Sequence, residues 1–358
     1  MASAWKGAPK FDDDAKVMSS TRKAAKRDGD LRAAARAGDA EGFLRLVREG
    51  ADPTARDKNG ATALMHAAAA NAVDIVDFLL SHGVAWNDVD VDGDCAGQYA
   101  SGYGHAELAA AMMEHATASE LALGEASMDE TNGECRANAE SEKYLTTPVK
   151  YSGDDKLLDE NDDAVMMSWE GPLMEAHADV LCAAGGDVMN VGFGMGIIDG
   201  HIEDRKRKSH TIVEAHPDVY AHMQRKGWEK KPGVRVEFGR WQEALPKLIE
   251  EGVKFDAIFF DTYGEEYDDM RRFHAMLPKL LRTGGIYSYF NGMCPDNIFF
   301  HMVYNRVAEI ELSRLGFKVS FDIKPIDTSD DGIWKGVKRR YWWGDKYFLP
   351  TCTYQATT

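Results

Sequence analysis

Long hydrophobic runs are missing from this sequence. Apolar stretches such as residues 67–70 and 121–123 fall far short of the about 18 residues that a helix needs to cross a bilayer. The opening MASAWKGAPKFDDDAK holds no apolar segment of signal-peptide type, which argues against secretion. Cysteine is scarce and scattered: Cys95, Cys135, Cys182, Cys294 and Cys352 are odd in number and at least 40 residues apart. They spell neither a disulfide framework nor a paired metal site, so idle thiols in a reducing compartment are expected. With only 11 Pro, 33 Gly and 44% apolar residues in 358, the composition is that of a folded protein, neither disordered nor collagenous. Also missing is any excess of positive charge. The 42 Lys and Arg face 59 Asp and Glu, a net −17, which removes the basic face that nucleic-acid binding needs. Such a balance suits a basic partner or substrate. The length corresponds to about two domains.

Residues 30–115 repeat themselves at an offset of 33: Asp57-Lys58-Asn59-Gly60 recurs as Asp90-Val91-Asp92-Gly93, and Ala67 as Ala100. The pattern Asp-x-x-Gly-x-Thr-Ala-Leu-x-x-Ala from Asp57 to Ala67 resembles the ankyrin repeat, a turn followed by a helix pair whose neighbours share one core. Two clear repeats and a partial helix pair at 30–49 are counted. Leu64 and Ala67 are assigned to the inner helix, and Ile75, Val76, Phe78, Leu79 and Leu80 to the outer one. A protein-binding surface is the functional expectation, and a structural cap is the plain alternative. Residues 119–142 then lose apolar periodicity and turn small and acidic, which reads as a connector, with room for a short helix at its start.

Beyond it, short apolar segments alternate with helical stretches at 188–193, 210–216, 234–238, 255–261, 286–291, 317–323 and 340–349. This argues for an α/β unit with a seven-stranded, mostly parallel sheet closed by an antiparallel edge hairpin. Ligands on such sheets lie beyond the carboxyl ends of the strands.

The first of these strands ends in Gly192-Phe193-Gly194-Met195-Gly196-Ile197-Ile198. Its glycines permit a tight turn and close approach of a ligand to main-chain N–H groups. A dinucleotide fingerprint would want a further glycine at 197, where Ile stands. Glu214 ends the second strand, 22 residues after Gly192, where a carboxylate can accept both hydroxyls of a ribose. After the third strand Trp241-Gln242 offers a ring to stack on adenine, a core tryptophan being the alternative. Asp261 ends the fourth strand, and Glu170 supplies a second acid upstream. Two converging acids near a methyl donor are what a planar guanidinium acceptor needs, and they could draw off the proton lost on methylation. Glu265, Glu266, Asp268 and Asp269 read more simply as a solvated rim. His201, His210, His216 and His222 lack metal-ligand spacing, so no metal is expected. The run Arg205-Lys206-Arg207-Lys208 is either a localisation signal or a solvated loop.

In order along the chain, Val165-Met166-Met167-x-Trp169-Glu170, the glycine turn, Glu214-Ala215-His216-Pro217, Gly239-Arg240-Trp241-Gln242, Phe260-Asp261-Thr262-Tyr263 and Ser288-Tyr289-Phe290-Asn291-Gly292 resemble the type IV protein arginine N-methyltransferases. They resemble guanidinoacetate N-methyltransferase more loosely. The resemblance implies a class I S-adenosylmethionine-dependent methyltransferase fold over 143–358, behind an all-α ankyrin-like module at 25–118 and an acidic linker at 119–142. It implies S-adenosyl-L-methionine as methyl donor, bound by Gly192, Phe193, Gly194, Met195, Gly196, Ile197, Ile198, Glu214, Ala215, His216, Trp241, Gln242 and Asp261 and covered by Tyr151 and Met166. Tyr144 is a second candidate for the covering aromatic. Asp261 and Glu170 would hold the guanidinium.

The activity implied is methylation of the delta nitrogen of arginine in a basic, ribosomal protein, in the cytoplasm and nucleus, with neither nucleic acid nor membrane as a direct partner. Asn291 is followed by Gly292-Met293-Cys294, whereas the small-molecule enzyme has a Leu-Thr-Ser run there that holds its substrate's carboxylate. That departure favours arginine within a polypeptide. The rivals are a small guanidino substrate and an adaptor with an inactive methyltransferase domain.

Overall fold

The computed structural model describes residues 11–130 and 139–356. Residues 1–10 of the leading stretch and part of the 119–142 connector therefore lie outside the described residues. The chain divides into two units, Met1–Glu120 and Leu121–Thr358.

The first unit holds α1 (Phe11–Ala37), α2 (Ala40–Arg48), α3 (Ala63–Ala69), α4 (Val73–Ser81), α5 (Ala96–Gly102) and the start of α6 (Ala106–Glu130). Three helix pairs result, one more complete pair than the two clear repeats counted from sequence. Each turn is built on one aspartate. Asp57 Oδ1 accepts from the N–H groups of Asn59 (2.8 Å) and Ala61 (3.1 Å), and Oδ2 pairs with His66. Thirty-three residues on, Asp90 does the same for Asp92 and Asp94, with the Tyr99 hydroxyl replacing the imidazole at 2.7 Å. Burial lowers the His66 pKa, so the pair acts more as a hydrogen bond than as an ion pair. Ala67, Ala68 and Ala100 are fully buried where α3 meets α5, their small size allowing close approach. Leu64, Ile75, Val76, Leu79 and Leu80 are buried as expected, and Phe78 packs edge-on against Phe43. The acidic stretch that starts at Ser119 is helical through Glu130 as part of α6.

The second unit continues with α7 (Ala139–Thr146) and a small antiparallel sheet of β1 (Lys150–Ser152), β2 (Lys156–Leu158) and β3 (Ala164–Met167). A 3-10 turn at Ser168–Glu170 leads into α8 (Gly171–Cys182), where Pro172 sits in the first turn and its missing N–H costs nothing. There follow β4 (Asp187–Val191), α9 (Ile197–Glu203), β5 (Ser209–Glu214), α10 (Pro217–Arg225), β6 (Val234–Phe238), α11 (Trp241–Glu250), β7 (Phe255–Phe260), α12 (Tyr267–Leu280), β8 (Leu281–Tyr289), α13 (Ile298–Arg314), β9 (Phe317–Pro325) and β10 (Lys346–Tyr354). The seven-stranded sheet has the order β6-β5-β4-β7-β8-β10-β9. The first five strands run parallel, and β10 lies antiparallel between β8 and β9. Central β4 is buried along its whole length, as a strand covered on both faces must be, whereas edge strand β9 alternates.

The last strand is shifted from the expected 340–349 to Lys346–Tyr354. Tyr341 and Trp342, which suggested a strand there, belong to a strap of residues 326–345 and pack on Trp169 instead of entering the sheet. Among the described residues no helix is long and apolar enough to cross a membrane.

Candidate functional site

Strand order reverses at β4, whose neighbours β5 and β7 lead away on opposite sides, and this opens a crevice beyond its carboxyl end. The glycine turn sits there. Gly192, Gly194 and Gly196 have φ of 95°, 55° and 74°, in the region that glycine alone enters freely. Space makes the same demand. A Cβ at 192 would collide with the Asp261 carbonyl, one at 196 with the Phe193 ring, and one at 194 would stand 2.9 Å from Met166 Sδ. The turn is thus a cradle of bare backbone. The Tyr151 hydroxyl donates to the Gly194 carbonyl at 2.9 Å and Met166 Sδ accepts from the Met195 N–H at 3.3 Å, so the small sheet closes over it. Phe193 and Ile198 are buried in the core below, with Met195 and Ile197 packed against that core.

Glu214, at the end of β5, is buried. Its Oε2 accepts from the Phe193 N–H at 2.9 Å and its Oε1 from the His216 N–H at 2.6 Å. Burial still pushes its pKa up. The N–H groups of Gly194 and Ala215 also face this carboxylate and, with those of Phe193 and His216, work against that rise. Ala215 follows, half-buried. The His216 ring accepts from the Asp218 N–H at Nδ1 (3.1 Å), which leaves Nε2 to donate to the Thr147 carbonyl at 2.9 Å. Tyr144 lies against the rings of His216 and Tyr263, 4.7 and 4.8 Å between centroids, while Tyr151 stacks on His222 at 4.0 Å. Burial and then the Glu214 charge raise the pKa of both tyrosines, so both aromatics read from sequence stand beside this acid.

Trp241 fits the core alternative. It is 4% exposed, edge-on to Phe273 at 5.4 Å, and its Nε1 donates to Glu265. Gln242 Nε2 and the Thr262 hydroxyl donate to the same carboxylate. The expected solvated acidic rim is corrected at Glu265 and Asp269 and holds at Glu266, which is exposed. Glu265 gathers these three donors, Asp269 is buried and caps α12 by accepting from the Glu266 N–H, and Asp268 pairs with Arg271.

Glu170 and Asp261, like Glu214 and Glu265, pair with no cation among the described residues, but of these four acids only Asp261 has a buried oxygen without a donor. Glu170 is 3% exposed and accepts from the Met167 N–H (3.0 Å) and the Tyr341 hydroxyl, both at Oε1. Burial, and then the charge of Asp261, push its pKa up to about 8. Asp261 keeps some accessible surface, yet its Oδ2 is closed off with no hydrogen-bond partner. Burial and the charge of Asp199 push its pKa up to about 7.

Behind the pair runs a polar network that the sequence did not announce. The Ser288 hydroxyl donates to the Pro350 carbonyl at 2.5 Å, so His177 Nδ1 must donate to Ser288 (2.8 Å) and Nε2 must accept from the Tyr347 hydroxyl (2.7 Å). Tyr347 in turn accepts from the Asn291 N–H at 2.8 Å. Burial holds His177 neutral, its pKa near 3, and the chain of bonds fixes the backbone where the segment after β8 begins. No local spacing signals a bond between residues 170 positions apart.

The four histidines are dispersed: His210 sits between Asp199 and Glu203, whereas His222 lies under Tyr151. Among the described residues no group of three or more His, Cys, Asp or Glu could hold a metal. In the basic run, Arg205 pairs with Asp179, Arg207 with Glu203 and Lys208 with Asp187, which is the behaviour of a loop anchored by ion pairs.

Comparison with known proteins gives the family of each unit. The family model for guanidinoacetate N-methyltransferase matches residues 132–323, and that for ankyrin repeats in three copies matches residues 31–121. A protein arginine N-methyltransferase 2 from Aspergillus oryzae is 36% identical over 321 residues, 78% of this chain and 77% of the relative. Its namesake from Aspergillus fumigatus is 35% identical over 332 residues, 79% and 78% of the two chains. The one from Yarrowia lipolytica is 39% identical over 243 residues, 63% and 51%.

Proposed function

The chain belongs to the protein arginine N-methyltransferase 2 family, with a class I methyltransferase fold and ankyrin repeats; on that premise we propose that it methylates the delta nitrogen of arginine in a ribosomal protein, using S-adenosyl-L-methionine. The same reading takes residues 25–118 as the repeat module, which binds a protein partner, 119–142 as the connector and 143–358 as the catalytic domain, acting in cytoplasm and nucleus.

One observation carries the reading. Asp261 Oδ2 is buried and unpartnered beside a second buried acid, Glu170. Two acids in such a place need a cation, and a guanidinium is the planar, weakly hydrated cation that pairs with carboxylates edge to edge. The delta position itself is taken from the family resemblance. The residues of the cradle also suit the donor: bare backbone at Gly192, Gly194 and Gly196, and the Glu214 carboxylate at the end of the neighbouring strand.

When bound, S-adenosyl-L-methionine supplies a methyl group on a sulfonium. In this reading Glu214 accepts the ribose hydroxyls, Phe193 to Ile198 line the donor, and Tyr151 and Met166 cover it. Ala215, His216, Trp241 and Gln242 shape the wall beyond, Trp241 from within the core. Asp261 and Glu170 clamp the acceptor arginine in line with the donor, and positioning of this kind supplies much of the rate of a displacement. As nitrogen gains the methyl it loses a proton, and in this reading Asp261, whose pKa is pushed up to about 7, takes it.

A polypeptide acceptor is favoured over a small one because Gly292-Met293-Cys294 after Asn291 offer no hydroxyl to a free carboxylate. The test is to incubate the full chain with methyl-labelled donor and, in parallel, a ribosomal protein fraction, free arginine and guanidinoacetate. Label entering protein is expected. Label entering only creatine would move the chain to the small-molecule branch.

A further inference from the structure

The strap of residues 326–345 lies past the 132–323 matched by the guanidinoacetate methyltransferase model, yet it reaches into the acid pair. It is latched at several points. Buried Lys156 donates to the Lys335 carbonyl at 2.8 Å, the Lys338 N–H donates to the Asp162 carbonyl at 2.8 Å, and Arg339 pairs with Asp163. At its base the Ile326 N–H donates to the Asp345 carbonyl at 2.9 Å. Inside the strap, Trp334, Tyr341 and Trp342 gather round Trp169, the residue before Glu170, with ring centroids 5.6 to 6.2 Å away. This packing delivers the Tyr341 hydroxyl to Glu170 Oε1, which already accepts from the Met167 N–H. Both bonds fall on the same oxygen.

Resting on the proposed arginine-methylating function, we propose that Tyr341 is a positioning residue: by bonding Oε1 from the strap it fixes the Glu170 carboxylate so that Oε2 serves as the acceptor for the guanidinium. The strap thereby becomes a wall of the acceptor pocket, and a change in the strap acts on substrate through one hydroxyl.

The groups facing Glu170 are Asp261 at the end of β7, Tyr341 on the strap and Tyr347 on β10, with Asp199 on α9 facing Asp261 in turn. The Tyr341 bond favours the charged carboxylate and works against the burial and the Asp261 charge that push Glu170 up. Removing the hydroxyl lets the pKa rise further from about 8, so Glu170 stays protonated to a more alkaline pH.

The experiment compares the full chain with Tyr341→Phe, which keeps the ring and its packing. It measures kcat and KM for an arginine-bearing protein substrate from pH 6 to 9, and binding of S-adenosylhomocysteine as a check on the donor site. Expected are donor binding within twofold of the unaltered chain, a roughly tenfold loss of kcat/KM carried mainly by KM, as suits a lost bond to a charged group, and an acid limb displaced upward by about half a unit or more. Superimposable pH profiles with kcat/KM within twofold would overturn the proposal, and so would loss of donor binding, which would make Tyr341 a packing residue. Failure of the functional reading itself is distinct: the unaltered chain would then label no protein arginine.

Discussion

Replacing Asp261 by Asn tests the acid pair in two opposite directions at once. Asp261→Asn keeps the shape of a side chain whose Oδ2 is buried without a partner, removes the charge and turns one acceptor oxygen into a donor. With guanidinium present, a buried charge pair loses one member, a change that costs about 2 to 5 kcal/mol. Because Glu170 remains, the lower part of that range applies, about 3 kcal/mol or roughly 150-fold in kcat/KM. Without substrate the sign reverses. The Asp261 pKa is about 7 in the folded chain against an ordinary 3.8. A carboxyl raised in this way adds stability that is full below its unfolded value and lost as pH rises through the folded one. The native ligand-free chain should therefore lose stability between about pH 4 and 7, and the Asn variant should lose less.

At pH 8 Asp261→Asn is expected to be more stable by about 1 to 3 kcal/mol, the cost of a poorly paired buried charge. That is a rise in Tm of roughly 3 to 8 °C for a unit of this size. At pH 5 the advantage should shrink to roughly a third, and below about pH 4 it should vanish. Thermal melts at the two pH values, read beside steady-state methylation, check both limbs. A variant within fivefold of native kcat/KM, or one no more stable at pH 8, would refute the reasoning.

Gly192→Ala meets both a φ of 95° and the Asp261 carbonyl; it is expected to cost more than about 3 kcal/mol and to abolish donor binding, as calorimetry would show. Glu214→Gln turns one of the two oxygens that accept from the Phe193 and His216 N–H groups into a donor, which loosens the cradle as well as its hold on ribose, so donor KM should rise roughly tenfold or more. In the repeat unit, Asp57→Ala strips partners from Asn59, Ala61 and His66, and urea melts of the full chain should show that unit weakened by about 1 to 3 kcal/mol.

The parallel core was legible because strands buried on both faces must be apolar throughout, as Phe255-Asp256-Ala257-Ile258-Phe259-Phe260 nearly is. The glycine turn was legible because backbone conformation and space both require glycine there. Three things were not. The strands of the small sheet are only three or four residues long, too short to carry a period. Tyr341 and Trp342 are as apolar as a strand, and only the position of Trp169 shows that they belong to a strap. Glu265 looks like a surface acid until Trp241, Gln242 and Thr262 are seen to converge on it. In each case the deciding partner is remote in sequence, so composition and spacing near the residue carry no trace of it.

The most direct measurement of the central claim is the identity of the methylated residue itself. Protein labelled by the full chain with methyl-labelled S-adenosyl-L-methionine would be hydrolysed to amino acids and the label resolved by chromatography against authentic standards, with Asp261→Asn run beside it. Label in delta-N-methylarginine, lost in the variant, is the result expected. Label on a terminal guanidinium nitrogen, on another amino acid, or undiminished in Asp261→Asn would contradict it.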